Sequence, residues 1–440
     1  MMLAAFRVRS FRFQWPADLL TSWAFEMETL ILSWYVMVNS GSVLLLTAFG
    51  SLQFLGTLAA PMFGVLGDRL GSRSMLCAMR ASYTMLAAVV MGLALAGVLT
   101  PAWVLVIGAL AGIVKPNDQV MRNALIGETI PPVHLMGALG MSRASQDSAR
   151  VAGALTGAGL STVLGIGYAF VAVTLVYAAS LALTFGVARG SAVPDPSAAP
   201  RGASPGVVSV AMSRPSRYRD LKDGLVHVFT TPTLLAAMLL AFLINLSAYP
   251  ITSGLLPYVA ERIYMVGATG LGWLVASFGV GALLGSIAIV VTGGPRHPAR
   301  SMLVHTALWY VLLLAFGHVQ SMGVGLVLLL CAGFVQSIAM ISLMGALLQA
   351  ADTRFRTRVM GVRTLAVYGM TFGLMGSGVL IERVGYPLTV SVCCAVGLVF
   401  TLLIGIRWRG SVWERSRSGH LAVSRMGMRA SRTTNGHRHQ

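Results

Sequence analysis

Charged side chains interrupt several long apolar stretches of the sequence. Glu26 and Glu28 lie in the first stretch, and Lys115, Asp118 and Arg122 lie in a later one. Charged groups surrounded by apolar residues are costly, so they usually face each other or a water-filled cavity. Burial also disfavours the charged form of a carboxyl group, which allows that group to bind and release a proton. The three acids, Glu26, Asp118 and Glu28, are therefore candidate proton-binding residues.

The acid that best fits this chemistry is Glu26. It belongs to a polar stripe at helical spacing, which consists of Ser22, Glu26, Thr29 and Ser33. Glu28 is two residues further along, about 200° around a helix, so it lies off the stripe. Asp118 precedes Arg122 by one helical turn, a spacing that favours an ion pair. We expect Glu26 to couple proton binding to function; a permanent ion pair of Glu26 with Lys115 or Arg122 is the alternative.

Other polar and aromatic residues of the apolar stretches indicate a cavity between helices. Candidate lining residues from the first half of the chain are Ser22, Thr29, Ser33, Lys115, Gln119 and Arg122. Candidates from the second half are Asn245, Tyr249, Tyr258, Met340 and Met344. Methionine and aromatic side chains adapt to varied ligands, so we expect an apolar or amphiphilic small molecule to bind. Pro250 and Pro257 share one stretch and predict a broken helix of the kind that lines cavities.

Enzyme chemistry is not indicated by the sequence. It contains no Walker loop, no Ser–His pair at catalytic spacing and no His-Glu-x-x-His motif. All four cysteines fall within apolar stretches, which favours packing over a disulfide or a metal site. We therefore expect no enzymatic activity, no cofactor and no metal ion.

Composition assigns the chain to a membrane. Of its 440 residues, 56% are hydrophobic and 10% are charged, whereas soluble domains have about 25% charged residues. A membrane-spanning helix needs about 20 apolar residues. Twelve runs are long enough: 17–38, 42–66, 74–98, 102–126, 137–161, 165–187, 233–258, 268–292, 301–320, 323–350, 359–382 and 386–408. The sequence thus predicts an all-α membrane protein with twelve transmembrane helices.

The apolar runs form two blocks of six. Residues 1–187 make the predicted N-terminal bundle, and residues 233–408 make the C-terminal bundle. Residues 188–232 are rich in Pro, Ser, Ala and Gly at first, which predicts a linker, and end in a predicted interfacial helix. Residues 409–440 are polar and basic, which predicts a disordered tail.

The placement of charge predicts the orientation of the chain. The formal net charge is +18, and 24 of the 32 lysines and arginines fall on one side of the predicted spans, together with both termini. Cytoplasmic segments of membrane proteins carry such a basic excess. We therefore expect both termini in the cytoplasm and contacts with anionic lipid, and we do not expect nucleic-acid binding.

A short polar loop joins the second and third runs. It reads Gly64-Val65-Leu66-Gly67-Asp68-Arg69-Leu70-Gly71-Ser72-Arg73. It resembles the signature loop G-x-L-x-D-R-x-G-R-R of the major facilitator superfamily, which also falls between helices 2 and 3. The matching residues are Gly64, Leu66, Asp68, Arg69, Gly71 and Arg73, while Ser72 replaces a cation. The resemblance implies a conformational-switch loop in which Asp68 packs against the start of helix 11, and a fold of two six-helix pseudo-repeats.

Other segments resemble bacterial drug and siderophore exporters of this superfamily. They are the Phe-Arg lead-in, Ser22 with the acids that follow it, and the Arg122-Asn123-Ala124-Leu125 turn ahead of Leu135 and Ala138-Leu139. This resemblance implies a monomeric inner-membrane transporter that exports small molecules against a proton gradient by alternating access. The alternatives are uptake of a small metabolite, coupled to protons or downhill, and a transporter-fold scaffold that does not transport.

Overall fold

The structure, a computed structural model, describes residues 6, 8–57, 70–130, 132–187, 228–351, 359, 362–363 and 365–410. These residues form helices and no strand. In chain order the helices are α1 Arg9–Ser40, α2 Val43–Leu52, α3 Ser72–Leu95, α4 Pro101–Thr129, α5 and α6 together as Pro132–Phe185, α7 Pro232–Ser247, α8 Ala268–Thr292, α9 Pro298–Phe316, α10 Met322–Ala350, α11 Tyr368–Val384 and α12 Tyr386–Arg407. The predicted all-α fold is confirmed.

Eight helical segments of the described chain are long and apolar enough to cross a membrane, and one of them contains both α5 and α6. The remaining helices fall short for local reasons. Helix α1 carries acidic residues along its length, the apolar segment that begins with α2 is described only as far as Thr57, and α11 has 17 residues. Helix α1 also begins at Arg9, eight residues before the predicted run.

Turn chemistry in the sequence explains several helix ends. Helices α4, α7 and α9 each begin with a proline, whose missing N–H is not needed in a first turn. Gly41 ends α1 with a φ of 63°, a conformation that suits glycine. Ser42 follows as the N-cap of α2, and its hydroxyl accepts a 3.3 Å hydrogen bond from the Leu45 N–H. Together they make a two-residue turn between antiparallel helices.

Helices α5 and α6 are joined without a separate loop. Within Pro132–Phe185 the residue with non-helical backbone angles is Gly165, with φ 78° and ψ 169°. A glycine tolerates this positive φ, which a residue with a Cβ would strain to adopt. The chain thus reverses direction within a single turn.

Helix α7 does not end as a regular helix. It continues through a π-helical turn at Pro250–Gly254, one α-helical turn at Leu256–Tyr258 and a second π turn at Val259–Ile263. Pro250 lacks the N–H that a regular helix would use, which accounts for the change of hydrogen-bonding pattern. The broken helix that the two prolines predict is present.

The apolar core forms two large clusters. One is built from residues of α1–α6, and the other is built mainly from residues of α7–α12. The halves meet closely along α5 and α8, where a Cβ at Gly272 would lie 2.5 Å from the Ala158 Cβ. They meet again along α2 and α11, where a Cβ at Gly378 would lie 2.1 Å from the Thr47 Oγ1. Glycine therefore permits both close approaches.

Both contacts lie toward the end of the bundle that carries the turns at Gly41, Gly165 and Gly267, which we call the Gly41 end. Hydrogen bonds join the halves there. The Ser51 hydroxyl donates to the Thr371 carbonyl over 3.2 Å, and the hydroxyls of Thr162 and Thr269 are 3.2 Å apart. The described residues therefore close the space between the halves at the Gly41 end.

Candidate functional site

A cavity of about 570 Å³ lies between the two halves of the bundle. Its polar lining residues are Glu26, Thr29, Ser33, Gln53, Lys115, Arg150, Asn245, Tyr249, Thr252, Ser253 and Arg363. Its larger apolar lining residues include Phe25, Phe54, Leu256, Leu271, Phe278, Met340, Leu343, Met370 and Leu374. The volume and a wall that is mostly apolar with polar groups at defined places are typical of small-molecule sites.

Glu26 is the acid of this cavity. Its Oε1 lies 3.4 Å from the Nε of Arg150, and the two side chains are 31% and 37% exposed. Helix α5 reaches α1 closely because Gly153 has no Cβ; a Cβ there would lie 2.6 Å from that of Glu26. Among the acids in the described ranges, Glu26 alone lines the cavity. It is therefore the described carboxylate with direct access to the contents of the cavity.

Glu28 faces the interior of the first six helices instead. Its carboxylate lies 3.1 Å from the Lys115 ammonium and accepts a 2.5 Å hydrogen bond from the Tyr177 hydroxyl. The Glu28 side chain is buried, whereas Lys115 reaches the cavity wall and stacks over the Phe25 ring at 5.0 Å. The Glu28 carboxylate thus holds the Lys115 ammonium in position from the side that faces away from the cavity.

A second charged network lies deeper in the same half of the bundle. Asp18 contacts the Arg80 guanidinium, and its Oδ1 is 3.8 Å from the Arg122 Nε. Arg122 also pairs with Asp118 one turn earlier, and Arg80 donates to the Thr184 hydroxyl. All four charged residues are buried. Two acids and two arginines balance in charge, which is how such groups can be kept away from water.

The network is extended by neutral groups around Arg122. Its Nη1 donates to the Ser22 hydroxyl over 2.7 Å and to the Asp18 carbonyl over 3.0 Å. The Gln14 side-chain amide donates to the Arg122 carbonyl over 3.2 Å. These contacts hold α1 against α4.

The sequence identifies the fold independently of this geometry. Residues 15–370 match the family described as Major Facilitator Superfamily. The chain belongs to the major facilitator superfamily. Members of this family transport solutes across membranes, so the protein is a multi-pass membrane transporter rather than an enzyme. No curated protein sequence matches the chain significantly.

Solved structures of other transporters share this fold of the major facilitator superfamily. A mutant of the nucleoside transporter NupG gives a TM-score of 0.68 at 12% identity, over 90% of this chain and 99% of that one. A D-xylose–proton symporter gives a TM-score of 0.65 at 14% sequence identity, over 90% of this chain and 97% of that one. The human organic anion transporter MFSD10 (TETRAN) gives a TM-score of 0.60 at 16% sequence identity, over 90% of this chain and 99% of that one. At such identities these likenesses establish the fold and leave the substrate open.

The sequence-predicted site residues occupy different places in the superfamily fold. Those that line the cavity are Glu26, Thr29, Ser33, Lys115, Asn245, Tyr249 and Met340. Those in the buried networks are Ser22, Glu28, Asp118 and Arg122. The others lie outside the cavity lining: Gln119 donates to Asn123, Tyr258 stacks on Tyr386 with ring centroids 5.7 Å apart, and Met344 is partly buried.

Sequence reasoning missed several residues of these sites. Asp18 was not among the candidates, although its spacing of four from Ser22 extends the polar stripe by one turn. The cavity also contains Gln53, Arg150, Thr252, Ser253 and Arg363. Thr252 and Ser253 lie in the π turn Pro250–Gly254, where a disrupted helix exposes polar groups to the cavity.

The predicted switch loop is described only at its end. Gly64, Asp68 and Arg69 lie outside the described residues, as does most of the segment before α11 that Asp68 is predicted to contact. Gly71 has a φ of 81° ahead of α3, and Arg73 donates to the Phe185 carbonyl at the end of α6 over 2.6 Å. Ser72, where the superfamily loop has a cation, donates to Glu128 at the end of α4 over 2.5 Å.

Proposed function

We propose that the protein is a proton-coupled secondary transporter that exports apolar or amphiphilic small molecules by alternating access. The observation that carries this proposal is the position of Glu26. It is the described acid that lines a cavity between the two halves, and its Arg150 partner is also partly exposed. The other paired acids have side chains that are at most 9% exposed.

The Glu26–Arg150 pair also lies where the two halves meet. A Cβ at Gly279 of α8 would be 3.7 Å from the Arg150 Cγ and 2.9 Å from Val151. Protonation of Glu26 would neutralise it and leave the Arg150 charge without its partner. The Arg150 side chain would then be more stable if it moved toward another anion or water, and α8, which packs against it, would have to shift. A proton can in this way favour one arrangement of the halves over the other.

The lining of the cavity supports the proposed substrate class. Apolar side chains from both halves form most of the wall, and its aromatic, leucine and methionine side chains can repack around ligands of different shape. The cavity is large enough for a small molecule of ordinary size. Sugars, which need many hydrogen bonds, fit this wall less well.

Orientation follows from the distribution of arginine. With the basic side in the cytoplasm, both termini are cytoplasmic and the Gly41 end faces outward. The cavity is then closed on the outside, which is an arrangement from which a molecule can be loaded from the cell interior. We place the protein, as a monomer, in a bacterial cytoplasmic membrane.

The test is transport in proteoliposomes under an imposed pH gradient. The probe is dansylglycinamide, a neutral amphiphile whose movement is followed by fluorescence. We expect wild-type protein to move the probe in the direction opposite to the protons. We expect Glu26→Gln to make the rate of probe movement independent of the pH gradient. Glu382→Gln, which changes an exposed acid of α11, is the matched control and should behave as wild type.

Glu28→Gln separates the two neighbouring acids. It should lower stability and keep the pH-gradient dependence, because Glu28 lies behind the cavity wall. The assignment to Glu26 fails if Glu26→Gln keeps full gradient dependence while Glu28→Gln loses it. Probe movement in the same direction as the protons would indicate uptake instead of export.

A further inference from the structure

The cavity holds one cation that the ion-pair pattern leaves uncompensated. Among described residues, five cations of the first six helices each have an acid partner: Arg80 with Asp18, Arg122 with Asp118, Lys115 with Glu28, Arg143 with Asp147 and Arg150 with Glu26. Arg363, which lines the cavity from the segment before α11, lies within ion-pair distance of none of the described acids. Counted over the described residues, the second half of the cavity therefore carries an excess positive charge.

Among the described residues around this half of the cavity, no acid balances Arg363; Asp352 lies outside the described residues. Between residues 262 and 350 there is no Asp or Glu at all. Glu382 lies at the far end of α11 and is exposed. The groups that act on Arg363 electrostatically are Tyr249 and the cation Arg143. A partly buried cation without a partner is costly, and an incoming anion would relieve that cost.

Tyr249 supplies a neutral donor beside this arginine. Its hydroxyl accepts a 2.8 Å hydrogen bond from the Gln336 amide, so its own proton remains available to a ligand. Its ring packs edge-on against Trp309, with centroids 5.4 Å apart, which fixes its direction. Both Tyr249 and Arg363 line the same cavity.

We propose that Arg363 and Tyr249 form an anion subsite that binds the acidic group of an amphiphilic organic monoanion. The apolar body of the ligand lies along Phe278, Met340 and Leu271 of the same wall. A guanidinium with a hydroxyl donor suits a carboxylate, sulfonate or phosphate group. This inference deepens the proposed function, because it rests on the central cavity being the substrate site.

The experiment measures binding of two matched probes to purified protein in phosphatidylcholine nanodiscs. Dansylglycine carries a carboxylate, and dansylglycinamide replaces it with a neutral amide. Wild-type protein should bind the acid more tightly. Arg363→Gln should weaken dansylglycine binding by roughly 10- to 100-fold, the range for a lost charge-assisted hydrogen bond, and leave dansylglycinamide unchanged.

Further variants separate this loss from misfolding or a change in net charge. Arg363→Lys should still bind dansylglycine more tightly than dansylglycinamide. Tyr249→Phe should weaken the binding of dansylglycine by a few-fold and leave the binding of dansylglycinamide unchanged. Arg296→Gln removes an exposed arginine and should have no effect. All variants are first compared by size-exclusion profile. Equal binding of the two probes to wild type, or an unchanged preference in Arg363→Gln, would overturn the anion subsite.

Two arms identify what occupies the site. Phosphatidylglycerol in the nanodisc is tested as a competitor of dansylglycine binding. If it competes in wild type and not in Arg363→Gln, a lipid phosphate occupies the subsite. If it does not compete in wild type, a free organic acid occupies the subsite. Met340→Trp fills the cavity and should weaken both probes. If it weakens neither, the central cavity is not the binding site and the proposed function fails with it; loss of the acid preference alone removes only the subsite.

Discussion

Replacement of Asp18 by asparagine tests the buried network of the first six helices. Asp18 faces two arginines, Arg80 and Arg122, that are each 1% exposed. At the 3.8 Å separation from Arg122, one such attraction is worth about 4 kcal/mol with an effective dielectric constant of about 20. Removing one partner of a buried pair typically costs about 3–5 kcal/mol. We expect Asp18→Asn to destabilise the protein by about that amount.

The assay is thermal unfolding of purified protein in nanodiscs, where this loss corresponds to a fall in Tm of roughly 6–20 °C. Arg296→Gln is the control, because it removes an exposed arginine and leaves the buried acids of the first six helices with their partners. It should cost about 1 kcal/mol or less. In the double variant Asp18→Asn/Arg80→Gln, more than half of the loss should be recovered. Wild-type stability of Asp18→Asn, or strictly additive effects in the double variant, would refute the assignment.

Two further outcomes follow from contacts on the same helices. Tyr177→Phe removes the hydroxyl that donates to Glu28 over 2.5 Å, so it should lower stability by roughly 1.5–3 kcal/mol, as a hydrogen bond to a charged group does; unchanged unfolding would argue against that bond. Gly56→Ala should prevent stable folding, because its Cβ would lie 1.9 Å from a carbonyl oxygen of α4, whereas a Cβ at Gly92 meets nothing within 4 Å. Gly92→Ala should therefore express and elute as wild type does, and equal yields for both would contradict the close helix contact.

The fold was largely predictable because membranes impose simple rules. Long apolar runs fix the helices, and the loop from Gly64 to Arg73 supports the superfamily that the family match confirms. The first run was predicted to begin only at residue 17, because Arg12, Phe13 and Trp15 suit a position at the membrane surface. That late start hid Asp18, which is the tenth residue of α1 and not near its edge.

The site was less predictable, because helical spacing separates faces without saying what each face meets. Glu26 and Glu28 were expected on different faces, and they do contact different partners, Arg150 and Lys115. Which face met the cavity depended on the packing of α5 through Gly153, which no local pattern encodes. That Arg363 makes no ion pair with a described acid emerges only from the three-dimensional positions of those acids. The roles of these residues remain predictions.

The ion pairs of α1 also bear on how the protein is made. Its acids meet cations that follow much later in the chain: Asp18 meets Arg80 after 62 residues, Glu28 meets Lys115 after 87, and Glu26 meets Arg150 after 124. A lone carboxylate at the centre of a membrane helix costs about 2.5–3.5 kcal/mol. At roughly 5–20 residues per second of synthesis, α1 must wait several seconds beside the insertion machinery before it is neutralised. Conditions that slow synthesis or shield α1 during insertion should therefore change the yield of this protein.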